Sequence, residues 1–208
     1  KEEIITNLEI AAHKQAELVT KWMEECTSDA QSVANNPFVV LCMQSTREGK
    51  ERAEILQYLD TVKYVDYLWA ECGHKEVIIA DRNGIVRISS RKELVGTDIS
   101  TKDFFRTAIE GAFFTSNIIP SDIPIENESG ELEVGVPTML VSVPVKDRSN
   151  AIAGAVTIRI DVSEMNALMQ NVHLGKTGET YLVNAQGYML TESRFTEDLK
   201  GQRRINKR

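Results

Sequence analysis

Three histidines, three cysteines and a run of carboxylates are the side chains best equipped for chemistry, and their spacing argues against most of it. His13, His74 and His173 fall in different predicted elements, and none has a partner at metal-ligand spacing. The stretch GKTGE at 175–179 contains the Gly-Lys-Thr of a phosphate loop. The glycine such a loop needs five residues earlier is Gln170, so the stretch reads as a turn. No Gly-x-Ser-x-Gly elbow occurs, and no cysteine stands beside a plausible base. ENESGELE, 126–133, lacks the register of a calcium loop and reads as a solvated acidic loop. The expectation is a chain that is not an enzyme and holds no cofactor or metal.

Composition narrows the class further. The chain has 208 residues, 42% of them hydrophobic and 26% charged, which is globular material long enough to bury a core. The net charge of −7, with both signs interspersed, speaks against nucleic acid, whose binding rests on Lys and Arg at phosphates. No apolar run approaches the roughly 18 residues of a membrane span, and no signal peptide precedes Lys1. The chain starts inside a helical pattern, so it is expected to be a piece of a longer protein. Cys26, Cys42 and Cys72 read as buried small hydrophobes, with a disulfide left open.

The elements that must position any site follow from periodicity. Ile4, Leu8, Ala11, Leu18, Trp22, Cys26, Ala30 and Val33 keep helical spacing over about thirty residues. Asn36 then caps a second helix that starts at Pro37. A third helix is expected over 50–72. From there the period changes to two. KEVIIA and IVRISS are strands joined by the hairpin signal DRNG. A helix over 101–110, capped by Ser100 or Thr101, leads to a strand AFFTSNII and an acidic loop over 120–133. The strands TMLVSVPV and AIAGAVTIRI and a helix SEMNALMQNV capped by Ser163 complete the pattern.

The hairpin then returns. Glu76 and Glu179, 103 residues apart, each precede an apolar run and a turn that closes on glycine eight residues later, Gly84 and Gly187. Each continues through a second apolar segment to a Leu and a Gly, Leu94 and Gly96 or Leu199 and Gly201. A lone hairpin is marginal in water, so the second unit is expected to be completed by sequence beyond this chain. The expected organisation is a helical stalk over 1–72, an antiparallel module over 73–162, a linking helix over 163–175 and a partial second module over 176–208.

The strand at 152–162 carries the clearest pocket signal. One face holds Ile152, Val156, Ile158 and Ile160. The other holds Ala153, Ala155, Thr157, Arg159 and Asp161. The first face needs the amphipathic helices. The second is small, then polar, and either faces solvent or borders a space covered by the helix and loops around residue 105.

Several stretches resemble the extracytoplasmic double Cache (PAS-like) sensor family of histidine kinases, chemotaxis receptors and cyclic-dinucleotide enzymes. VGTDISTKDFFRTAIEGAFFTSNI is similar to that family's turn, pocket helix and following strand. TMLVSVPVKDRSNAIAGAVTIRIDVSEMNALM is similar to its last two strands and exit helix, and GKTGETYLVNAQGYMLTESR to the start of its membrane-proximal module. The resemblance implies an α+β fold in which a long N-terminal stalk helix packs on a five-stranded antiparallel sheet of order 2-1-5-4-3. A ligand cavity lies on the opposite face, and the start of a second PAS-like module follows.

The resemblance also implies site residues. Phe104 and Phe105 stand where the family has adjacent aromatics walling the cavity, although they also suit a core. Lys102 stands where amino-acid-binding members have an Arg for the ligand carboxylate, without that Arg's bidentate fork. Asp122 and Asp161 occupy places that contact the ligand amine. As residues alone, Asp122 also suits a loop and Asp161 a helix cap. Thr97, Phe104 and Pro120 depart from the family's Tyr, Trp and Tyr, and with Lys102 they break the amino-acid signature at four positions. Ser116 and Ser142 fall on strands flanking the expected cavity and can donate to a ligand or face solvent.

The implied function is a ligand-sensing ectodomain at the cell membrane. It binds a small polar metabolite, a carboxylate, an amine or something amino-acid-like, and its stalk helices suit a homodimer. Membrane contact is expected only through segments outside the chain. The alternatives are a cytoplasmic PAS-type sensor that holds haem or flavin through His74 or His173, and a ligand-free interaction module.

Overall fold

The computed structural model describes residues 2–47, 74–126, 130–170, 178–184, 187, 189–191 and 193–196. The chain divides into two compact units, residues 24–161 and residues 1–23 with 162–208. Helix α1 (Glu2–Ala34) contributes residues to both, where the sequence suggested a stalk separate from either module. The helix expected over 50–72 lies outside the described residues.

Unit 24–161 is built on an antiparallel sheet. Its strands are β1 (His74–Asp81), β2 (Val86–Ser89), β3 (Phe114–Thr115), β4 (Ile119–Pro120), β7 (Pro137–Lys146) and β8 (Ile152–Asp161). A separate pair, β5 (Ile125–Glu126) and β6 (Leu132–Glu133), sits inside what the sequence presented as an acidic loop. The main order is β2-β1-β8-β7-β3, with β4 also on β7, which is the order expected for the five-stranded sheet. The expected strand AFFTSNII is two short pieces, β3 and β4, each paired to a different part of β7.

Helix α2 (Pro37–Arg47) starts as its cap residue dictates, with Phe38 N–H donating to Asn36 Oδ1 at 2.9 Å. It packs against β8, β1 and β7. A Cβ on Gly154 would meet Ala80 O, with Met43 Sδ of α2 at 3.0 Å, so only glycine lets strand and helix approach this closely. Helix α3 (Asp103–Ile109) covers the other face of β8, where Phe105 and Ala108 are buried with Ala80 and Ala155. Its cap is Lys102, in extended conformation and without a side-chain cap bond. Ser100 N–H is instead taken by Asp98 Oδ1 at 2.8 Å.

Both faces of β8 are therefore covered. Val156 and Ile158 are buried on one side, and Ala155, Thr157 and Arg159 on the other, which excludes a solvated second face along most of the strand.

In the other unit, α4 (Ser163–Gln170) follows directly on β8, and Val162, Met165 and Met169 are buried. The carbonyl of Met169 accepts from Gln15 Nε2 and from Thr180 Oγ1, both at 3.2 Å, so side chains satisfy a helix-end acceptor. The repeated hairpin shows the same register. Ala80 faces Val86 in the first copy, and Val183 faces Met189 in the second. Each turn closes with a glycine at φ 85°, Gly84 and Gly187. The glycine N–H donates at 2.9 Å to the carbonyl three residues back, Asp81 or Asn184.

Candidate ligand-binding site

Between the polar side of the sheet, the start of α3 and the loops lies a cavity of about 620 Å³, within the range of small-molecule sites. The strands set its floor: Glu76 and Ile78 from β1, Leu140 from β7 and Arg159 from β8. Glu76 and Leu140 face Arg159 from either side in the register, so one row of three strands presents an acid, a base and an apolar residue. The walls come from two stretches of chain, one giving Leu94, Thr97, Ile99, Lys102 and Phe104, the other Phe114, Ser116, Ile119, Pro120, Asp122 and Ile123. The rings of Phe104 and Phe114 meet at 6.5 Å between centroids, tilted by 57°.

Arg159 organises the polar end. Its side chain is only 7% exposed, and every nitrogen has a partner. Nε donates to Glu76 Oε2 at 3.1 Å, Nη1 to Thr138 Oγ1 at 3.2 Å and Nη2 to Asp122 Oδ1 at 2.8 Å. Burying a guanidinium is costly without such pairing. A second guanidinium, Arg91, approaches from just after β2. Its Nε and Nη2 hold Glu93 Oε1 at 2.9 and 2.8 Å, and its Nη1 stands 3.6 Å from Glu76 Oε1. The Glu93 carboxyl is held below its ordinary range, first by its own backbone N–H and then by Arg91.

Of the residues singled out in the sequence, Lys102, Phe104, Ser116 and Asp122 lie on the cavity wall. Asp122 is paired to Arg159, and Ser116 Oγ donates to Asn117 O and accepts from Leu140 N–H. Three residues are elsewhere. Phe105 points into the α3–sheet core. Ser142 is fully buried against Thr157, their hydroxyls 2.9 Å apart. Asp161 sits at the end of β8 with Lys75 Nζ at 3.3 Å. All three were expected at the site, and none of them lines this cavity. His74, the candidate axial ligand, is buried at the start of β1 with Nε2 3.2 Å from Asp29 Oδ2 of α1. His173 lies outside the described residues.

Glu76, Arg91 and Arg159 carry the polar end, and the sequence reading assigned none of them to the site. A charged residue opening an apolar strand, as Glu76 does in KEVIIA, was the available signal. Only strand register reveals that its partner is Arg159.

The Cache domain family model dCache_1 matches residues 1–207. The chain belongs to the Cache domain family. A Cache domain is a ligand-binding sensor domain and not a catalytic one. Among solved structures, the ligand-binding domain of the Campylobacter jejuni chemoreceptor Tlp3, in complex with 4-methylisoleucine, is 15% identical. It aligns over 95% of this chain and 72% of that one with a TM-score of 0.66. The ligand-binding domain of the Pseudomonas aeruginosa amino acid chemoreceptor PctC, in complex with GABA, is 14% identical over 90% and 74% of the two chains, at 0.61. The sensor domain of the Vibrio cholerae histidine kinase DctB is 15% identical over 82% and 60%, at 0.58. This Cache domain thus spans about three fifths of the DctB sensor domain and about seven tenths of the Tlp3 domain. At these identities the likeness shows the fold. No curated protein sequence matches the chain. No helix among the described residues is long and apolar enough to cross a membrane.

Proposed function

We propose that this Cache domain is the extracytoplasmic sensor of a transmembrane receptor of histidine kinase or chemotaxis type. It binds a small polar metabolite in the cavity of unit 24–161. The observation that carries this reading is the cavity itself, set on the small and polar side of β8 with an aromatic pair on one flank and Arg159 at its base. Lys102, which has no side-chain partner among the described residues, is the natural site for a ligand carboxylate. Asp122 is held through Oδ1 by Arg159, which it shares with Glu76. The complexes of Tlp3 with 4-methylisoleucine and of PctC with GABA favour a ligand of metabolite size.

Ligand binding transmits only as far as it favours one conformation over another. The relay in this reading is a shift of the sheet passed along α1. Ile4, Ile5, Leu8 and Leu18 of α1 are exposed, which suits pairing with a second copy through the stalk.

A thermal-shift screen of carboxylates, amines and amino acids tests the reading. A hit should stabilise the chain increasingly with concentration. Lys102→Ala should remove the response to a carboxylate hit, and Asp161→Ala should leave it. A screen without hits, or hits indifferent to Lys102 and to Phe104→Ala, sinks the reading.

A further inference from the structure

One corner of the cavity is chemically incomplete. Glu76 is 2% exposed, and its Oε2 is fixed by Arg159. Its Oε1 is buried and has no hydrogen-bond donor among the described residues. Arg91 is fixed on Glu93 through Nε and Nη2, while its Nη1 is buried and has no acceptor. The two atoms stand 3.6 Å apart, both side chains on the cavity wall, too far to satisfy each other with a proper hydrogen bond. Buried polar atoms are almost always paired, and leaving one unpaired costs more than a typical bond contributes.

We infer that Glu76 Oε1 and Arg91 Nη1 form a subsite that reads the edge of a neutral amide or lactam, its N–H donating to Glu76 and its C=O accepting from Arg91. This inference rests on the cavity being the ligand site. The choice of a neutral edge follows from charge. Glu76 already faces two guanidiniums, at 3.1 and 3.6 Å, and Arg91 already faces Glu93. What the corner lacks is one donor and one acceptor side by side, and an amide offers both in one plane at a spacing of about 2.3 Å. This is the logic by which an amide side chain reads a base edge in a bidentate pair. An ammonium would add a third cation around one carboxylate.

The same acid in the repeated hairpin is held by different partners. Glu179, 103 residues on, has its Oε2 taken by Ser193 Oγ at 2.6 Å and by Arg194 N–H at 3.2 Å. Ser90, the counterpart of Ser193, turns its Oγ to the N–H of Val77 at 3.0 Å, so the first hairpin's serine is diverted from its acid.

The probes are nicotinamide, nicotinic acid, N,N-dimethylnicotinamide and L-leucine, titrated calorimetrically into the full chain and into Arg91→Gln and Lys102→Ala variants. Nicotinamide should bind, and N,N-dimethylation, which removes the N–H, should weaken it at least tenfold. Arg91→Gln should weaken nicotinamide by a similar factor while leaving any Lys102-dependent carboxylate untouched. Should Arg91→Gln fail to fold, the contrast between nicotinamide and its dimethyl derivative on the unaltered chain still decides. Equal binding of those two overturns the subsite. So does L-leucine binding that depends on Arg91, since a zwitterion would then occupy the pair. Lys102-dependent binding of nicotinic acid without any nicotinamide binding refutes this inference alone. Binding of no probe, joined to an empty metabolite screen, refutes the cavity as well.

Discussion

The hairpins that begin at Glu76 and Glu179 share, in their described residues, a pairing register, a glycine turn at φ 85° and an acid at the same place, yet they use that acid differently. In the second, Glu179 is tied to its own hairpin by Ser193 and Arg194. In the first, Glu76 reaches across the sheet to Arg159, and its other oxygen borders a cavity. The turns differ in the same sense. A Cβ on Gly84 would meet the backbone of Ser100 at 2.6 Å, because the segment leading into α3 lies on that turn. Gly187 has nothing within 4 Å. One hairpin keeps its acid within itself. The other has become the base on which a loop, a helix and a polar network are built.

The sharpest way to break this comparison is to remove both acids. Glu76→Ala leaves the buried Arg159 with Asp122, which is 78% exposed, as its one carboxylate among the described residues, and should cost about 3 kcal/mol. Glu179→Ala loses hydrogen bonds at a half-buried site and should cost about 1 kcal/mol. Equal losses in urea denaturation would mean that the two acids do the same work.

The glycines come next. Both Ala variants suffer left-handed strain of about 1 kcal/mol, but Gly84→Ala must also displace Ser100, and about 2–3 kcal/mol in total is expected. A Gly187→Ala variant that destabilises as much would show the second turn to be equally covered. Gly154→Ala, in the strand paired to the first hairpin, should rank with Gly84→Ala, since its methyl would strike Ala80 O.

The smallest effect is expected from pH. Burial lowers the pKa of His74 below its ordinary 6.5, and Asp29 offsets this only in part. The folded state therefore keeps the imidazole neutral, while the unfolded chain takes up a proton as pH falls through 6.5. His74 contributes fully above that pH. Its contribution is lost as pH falls from 6.5 toward the folded value, by at most about 1.4 kcal/mol per pH unit. Urea midpoints between pH 7.5 and 5 should show this slope, and His74→Gln should flatten it. An unchanged slope in the variant would place the titration elsewhere.

Local signals were legible where one residue type has one physical use. Asn36 before Pro37 announced a helix start, and the Asn-Gly turn at 83–84 announced a hairpin, because cap and turn geometry depend only on neighbours in sequence. The alternation along 152–161 correctly separated two faces, since strand period alone sets which side a residue takes. Lys102, Phe104 and Asp122 were placed by resemblance to the Cache family and Ser116 by its strand, and the cavity wall contains all four. The same reasoning also named Phe105, Ser142 and Asp161, which lie off the cavity wall. Their fates depend on α3 packing, on the pairing of Ser142 with Thr157, and on Lys75 across the sheet.

By itself, the sequence determined the alternation of helix and strand periods, the turn positions and the repeat of 103 residues. All of these are properties of neighbours along the chain. The tertiary structure alone decided that Glu76, Arg91 and Arg159 converge, although 15 and 68 residues separate consecutive members of that set. Strand register creates that meeting, and register is set by the collective burial of whole faces and not by any residue in the network.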